Sequence, residues 1–251
     1  VKLRDFGHFD GPVLLVGGVF GNIDAFSAFT GMVAGRPVIG TGDLAAIGPA
    51  GEEAVTAFAD AAWPTVAGAS DLAALEDLRD PRSSAWGGPD APALSDAAIR
   101  ALSALPTLAT FVQVDRRYAV LGGGVPGQGA FLWPTSSEAL FREQIGAIEE
   151  AVGPVDGIVA GGTGLAFHRN IDAHQWINPG AIGLPSHDGR PETRYAVLTA
   201  GDVMIERLTY DAVGAAERAR RAGATEPFAA IYETGIWPDE QVLPDALRRK
   251  T

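Results

Sequence analysis

Cysteine is missing altogether from the 251 residues, which excludes disulfides, thiolate metal sites and thiol nucleophiles. Lysine is nearly missing: Lys2 and Lys250 stand beside 17 arginines, a skew of codon usage more than of function. Positive charge is scarce as a whole, with 19 Lys and Arg against 31 Asp and Glu and a formal net charge of −12. No basic run reverses that balance locally, so a phosphate backbone is repelled and no nucleic-acid partner is expected. Long hydrophobic runs are lacking too. Pro12 to Val19 falls far short of the roughly 20 apolar residues that span a bilayer, so no membrane partner is expected. The first residues, Val1 to Asp5, have no apolar signal-like core, and the cytoplasm is the expected location.

What is present argues for a folded chain. The hydrophobic class makes up 47% and charged residues 20%, which sets the sequence apart from disordered ones. The length suits a single domain over 1–251, with a core at about 12–211 and a helical extension at 212–251.

Short β-rich runs alternate with amphipathic stretches in the first half, the pattern of βαβ units. Val13–Val16 reads as a buried strand, and Ile23, Phe26, Phe29 and Val33 recur at helical spacing over 22–33. Val38–Gly40 is a second strand, followed by a helix at about 51–62, and Thr65–Ala67 is a third, followed by a helix at 71–78. Residues 80–94, rich in Pro, Gly and Ser, read as a surface excursion. Ser95 should cap a helix carrying Ile99, Leu102 and Leu105, and 109–114 with 118–121 should form a hairpin joined by Asp115–Arg117. Thr135 and Glu138 suggest a capping box opening a helix to about Val152. Then come a strand at 158–160, hairpins at 166–178 and 195–208, and a charged helical tail.

Polar and glycine-rich groups follow the strands: Gly21-Asn22, Gly42-Asp43, Gly68-Ala69-Ser70-Asp71, Gly161-Gly162-Thr163-Gly164 and Asn178-Pro179-Gly180. Open α/β sheets gather binding groups at strand ends, although such groups also serve as helix caps. Gly122 to Gly127 satisfies G-x-G-x-x-G, but Pro126 and Gln128-Gly129-Ala130 give no immediate helix to receive a pyrophosphate. Ser70 has no histidine near it in sequence and reads as a polar turn beside Asp71. Of the four histidines, His8 precedes the first strand, His168 and His174 could share one face of a hairpin, and His187 sits in a Gly/Pro-rich loop.

The order and spacing of these groups resemble the calcineurin-like metallophosphoesterases, in particular the small bacterial and archaeal phosphodiesterase branch. That family carries D-x-H-G-N, G-D-x-x-x-x-G-P, G-N-H-D, H-G, G-H-T-H and N-P-G-S in this order. Here the matching stretches are Gly18–Asn22, Gly42-Asp43 through Gly48-Pro49, Gly68–Asp71, Gly122-Gly123, Gly161–Gly164 and Asn178–Ala181. The resemblance implies a four-layer α/β/β/α sandwich of two mixed sheets, and a site for two divalent metals held by Asp, His and Asn. Carried over position by position, the ligands become Gly18, Phe20, Asp43, Ala69, Gly122, Gly162 and Gly164, so that Asp43 alone survives. Ser70 stands where the family has the histidine that protonates the leaving group.

A lone carboxylate cannot hold two such cations, so no cofactor is expected. The resemblance therefore implies a noncatalytic relative that binds a protein partner or a small polar ligand. The alternative is a phosphoesterase remodelled around Asp43, with support from Asn22, Asp71, Thr163 and Asn178. A third reading is a structural subunit of a larger assembly. Phe20 is expected to fill vacated space against Gly162 and Gly164.

Overall fold

The computed structural model describes residues 2–44, 51–77, 94–125 and 131–249. The strands are β1 (Leu3–Phe9), β2 (Val13–Val16), β3 (Val38–Gly40), β4 (Leu108–Gln113), β5 (Arg116–Leu121), β6 (Gly157–Ala160), β7 (Ala166–Ile171), β8 (His174–Pro179), β9 (Thr193–Thr199) and β10 (Asp202–Leu208). The helices are α1 (Ile23–Val33), α2 (Gly51–Ala61), α3 (Ala69–Asp77), α4 (Asp96–Ala104), α5 (Glu138–Val152), α6 (Ala212–Arg221) and α7 (Glu226–Thr234). The strands form one sheet in the order β1-β4-β5-β6-β8-β7 and another in the order β10-β9-β2-β3.

Because side chains alternate across a strand, each sheet sorts its residues into two layers. Val13 and Leu15 of β2 meet Phe111, Tyr118, Val120, Val159 and Ile177 of the larger sheet, forming the core between the sheets. Their neighbours Leu14 and Val16 face the other way, onto Phe26 and Phe29 of α1, Val55 and Phe58 of α2 and Leu102 of α4. On the far side Ala119, Leu121, Ile158 and Trp176 receive Phe141, Ile145 and Ile148 of α5. The layers therefore run helix, sheet, sheet, helix, with parallel and antiparallel pairs in both sheets, as expected. Each fully buried Leu, Ile or Phe in these layers contributes about 1.5–3 kcal/mol.

Several elements differ from the sequence reading. β1 is an additional strand at the edge of the larger sheet, and His8 lies within it instead of before the first strand. Most of its residues are exposed, so no alternating apolar signal marks it. Thr65–Ala67 is not a strand of its own, making only isolated bridges from Thr65 to Gly40 and from Gly68 to Gly122. The cap of α5 is Ser137, whose Oγ accepts from the Leu140 N–H at 3.3 Å, not Thr135. The β4–β5 turn is Val114-Asp115, tighter than the three residues expected. His168 pairs with Ile177 and His174 with Ile171, so the two histidines stand on opposite faces of the hairpin.

The excursion at 80–94 lies almost wholly outside the described residues, as do Gly48, Pro49 and the end of the G-x-G-x-x-G stretch. The extension is tied back onto the core. Arg218 of α6 reaches Asp24 of α1 through two bonds of 3.0 Å, and Ile231, Trp237 and Leu243 pack with Trp133, Leu165 and Leu184. No helix among the described residues is long and apolar enough to cross a membrane.

Candidate functional site

β2 and β3 run parallel, as do β5, β6 and β8, so the loops leaving their C-terminal ends gather along one edge. The approach is so close that glycine is required. A Cβ on Gly17 would stand 1.7 Å from the Gly180 carbonyl oxygen, and one on Gly161 would stand 2.3 Å from Thr41 Oγ1. At the end of the smaller sheet, the N–H groups of Val19, after β2, and Phe20 both donate to the carbonyl of Asp43, after β3, at 3.1 and 3.2 Å. The sequence-selected loops do therefore converge.

At the centre lie two buried carboxylates. Asp71 is fully buried, and its oxygens accept the N–H groups of Asp43 (2.8 Å), Leu44 (2.8 Å) and Gly68 (2.9 Å). It ties the Asp43-Leu44 loop after β3 to Gly68 at the start of its own segment, a role that its place among the strand-end polar groups did not reveal. Asp43 sits at φ 59° with its carboxylate buried, and one oxygen accepts both the N–H (3.0 Å) and the hydroxyl (2.8 Å) of Ser70. Burial, and then the neighbouring Asp71 charge, push its pKa up to about 7 against the pull of the Ser70 donors.

The other selected positions surround this pair. A Cβ on Gly18 would meet the Phe20 ring at 2.5 Å, and one on Gly122 would meet the Ala67 carbonyl oxygen at 2.5 Å and Gly68 Cα at 2.6 Å. Gly162, at φ 89°, lies against Gly122 and Gly123 backbone, with Phe131 the nearest ring. Gly164, at φ 70°, faces Leu184 at 3.4 Å and the Trp237 indole at 3.5 Å. Phe20 itself packs with Ala181 and Leu184 over Gly18, and the rings nearest Gly162 and Gly164 are Phe131 and Trp237 instead. The reason is local: Phe20 has a positive φ of 46°, which turns its side chain back over its own loop. Ala69 is exposed, in the first turn of α3.

Asn22 and Asn178 work as staples. Asn22 Oδ1 accepts the Ala25 N–H at 3.0 Å, capping α1, while its Nδ2 donates to Gly183 O at 3.1 Å. Asn178 Nδ2 donates to Gly161 O (3.1 Å) and Thr163 Oγ1 (3.0 Å), and its Oδ1 accepts the Gly180 N–H at 2.9 Å. The histidines stay apart from Asp43: His174 pairs with Glu149 at 3.2 Å and His187 faces Glu240 at 3.3 Å. Among the described residues no group of three or more His, Asp or Glu is placed to hold a metal ion.

Sequence reading missed Leu184 and Trp237, which cover Gly164. An aromatic ring just past the glycine that ends a helix, as in Gly235-Ile236-Trp237, is a signal of a docked tail that was open to use.

Comparison with solved structures settles the architecture. A metallophosphoesterase from Sphaerobacter thermophilus superposes with a TM-score of 0.72 at 21% identity, covering 90% of this chain and 100% of the other. The chain has the metallophosphoesterase fold. A hypothetical protein from Pyrococcus horikoshii OT3 shares it, with a TM-score of 0.72 at 15% identity over 90% of this chain and 99% of its own. No family model matches the sequence, and no curated protein matches it either. At these identities the metallophosphoesterase likeness fixes the arrangement of sheets and strand ends and leaves the chemistry to the residues themselves.

Proposed function

We propose that the chain is a noncatalytic metallophosphoesterase-fold protein, a binding or regulatory module whose partner is a protein or a small polar ligand. The observation that carries this reading is the filling of the former ligand positions. At Gly18 and Gly122 even a Cβ collides with a ring or with backbone, so the chain has closed over the space where metal-binding side chains would start. Two divalent cations, which the fold family implies, do not fit the donors present. Of the seven carried-over ligand positions Asp43 alone has a donor side chain. One of its oxygens already takes two Ser70 donors, and the Asp71 carboxylate beside it is held by three N–H groups, which supports a donor set too small for two cations. A dinuclear site stripped of metals alone would leave carboxylates and imidazoles facing each other in a partly dry cleft. Replacing the ligands together removes that cost.

The second reading, a phosphoesterase remodelled around Asp43, draws support from the pKa of Asp43 near 7, the range a general acid or base needs. Its burial argues the other way, since only 4% of the residue is exposed. Hydrolysis of bis-p-nitrophenyl phosphate with added Mn²⁺ separates the two. The expected rate does not exceed background, and turnover that vanishes in Asp43→Ala would overturn the noncatalytic reading.

A further inference from the structure

The chain beyond α7 turns back over the glycine-lined floor. Gly235 ends α7 in the left-handed region at φ 65°, and a Cβ there would stand 2.0 Å from Arg190 O, so only glycine brings the strap this close to the 183–190 loop. The Gly189 N–H donates to Gly235 O at 3.3 Å. Trp237 then makes the central contacts: its Nε1–H donates to Pro185 O at 2.7 Å, and its backbone N–H donates to His187 Nδ1 at 2.9 Å. Its indole covers Gly164, and Leu243 and Leu247 close the same apolar cluster. Further along, Arg248 ties the tail to itself through the carbonyls of Glu240 and Leu243, each at 2.9 Å.

One of these contacts depends on a titratable acceptor. An imidazole accepts at Nδ1 only while that nitrogen carries no proton. The His187 side chain is 4% exposed, so water offers Trp237 no substitute. On its other side Nε2 lies 3.3 Å from Glu240 Oε1 without a well-aligned bond. Glu240 is already held by Arg249, through Nε at 2.6 Å and the backbone N–H at 3.0 Å. Asp188, on the same loop as the histidine, is paired with Arg194. The charges around the ring are therefore Glu240 and Arg249 from the strap and Asp188 from the loop. Burial first holds the His187 pKa below its usual value and Arg249 adds to this, against the pull of Glu240 and Asp188.

We propose that residues 235–249 are a latch over the strand-end floor, held closed by neutral His187 and released when its imidazole is protonated, which uncovers Gly164 and Leu184. A proton on Nδ1 would face the Trp237 N–H, donor against donor. This goes beyond the function proposed above and stands whether or not the floor binds a ligand.

The sign follows from linkage. The closed form disfavours the proton, so as pH falls through the open-form pKa of about 6.5 the closed latch loses ground, by at most tenfold per pH unit, until the closed form is itself protonated. Hydrogen exchange of the full chain between pH 8 and 5, corrected for intrinsic rates, reads this directly. Protection of the Trp237 amide and its neighbours in the strap should fall several-fold below about pH 6.5, while α5 stays protected. His187→Asn supplies a non-titrating acceptor and suits the φ of 56° at this position, so its strap should stay protected down to pH 5. Burial and the Asp71 charge push the Asp43 pKa up to about 7, so the strap response should also persist in Asp43→Asn. An unchanged strap in the wild type, the same loss in His187→Asn, or loss in α5 in step would overturn the latch. Should His187→Asn not fold, the His187 ring and Trp237 amide NMR signals of the wild type must share one midpoint, and separate midpoints would overturn it equally.

Discussion

Ser70 closes on a single oxygen of Asp43 with both its backbone N–H, at 3.0 Å, and its hydroxyl, at 2.8 Å. The sequence resemblance would put a leaving-group histidine at the position of Ser70 and a metal-bridging carboxylate at that of Asp43. Here the two residues bond to each other, and that contact has a consequence for stability.

The pH dependence of that stability has a defined direction. The folded pKa of Asp43 is raised to about 7, above an unfolded value near 3.9. Between these limits the native chain binds more protons than the unfolded one, so the contribution is complete below about pH 4 and is lost as pH rises toward 7. Asp43→Asn keeps the hydrogen-bonding shape and should cost no more than about 1–2 kcal/mol. The gap between wild type and this variant should narrow as pH rises from 5 to 8 in thermal melts. Asp43→Leu leaves the Ser70 donors unmatched and should cost more at every pH. Equal melting temperatures for Asn and Leu variants would contradict the assignment.

Gly122 and Gly123 are neighbours in sequence and opposites in packing. A Cβ on Gly122 meets backbone at 2.5 Å, whereas one on Gly123 meets nothing within 4 Å. Gly122→Ala should destabilise the chain by about 1–3 kcal/mol, as overpacking does. Gly123→Ala should lie within about 0.5 kcal/mol of wild type. Urea denaturation of the two variants side by side reads the difference, and similar costs would mean that the loops are not closed as described.

Asn178 uses its amide as both donor and acceptor, tying Gly161, Thr163 and Gly180 together. Asn178→Asp keeps the acceptor for Gly180 and sets a second carboxylate oxygen against the Gly161 carbonyl. The expected loss is about 2–3 kcal/mol at pH 8, smaller at pH 4 where the acid can donate. A variant as stable as wild type at pH 8 would remove Asn178 from the staple role.

The sandwich was legible because its strands announce themselves. Val13–Val16, Val38–Gly40 and Ile158–Ala160 are short apolar runs bounded by turns, and their order with the helices specifies the layers. β1 escaped because an edge strand exposed on both faces has no hydrophobic period, and Thr65–Ala67 reads as a strand because a buried connecting segment has the same composition as one. The α5 cap was placed two residues early, since Thr135-Ser136-Ser137 offers three capping side chains in a row. At the site, spacing located the glycines and Asp43. It could not reveal that Asp71 ties the Asp43-Leu44 loop to Gly68 or that Trp237, more than seventy residues downstream of Gly164, covers the floor, because both depend on tertiary contacts.

The central claim is that this metallophosphoesterase fold no longer holds a pair of divalent metals. Metal analysis of the purified full chain, after incubation with excess Mn²⁺ or Zn²⁺ and removal of unbound ions, tests it most directly. The expected content is well below one equivalent per chain, unchanged in Asp43→Ala. Two equivalents per chain, lost in that variant, would contradict the account.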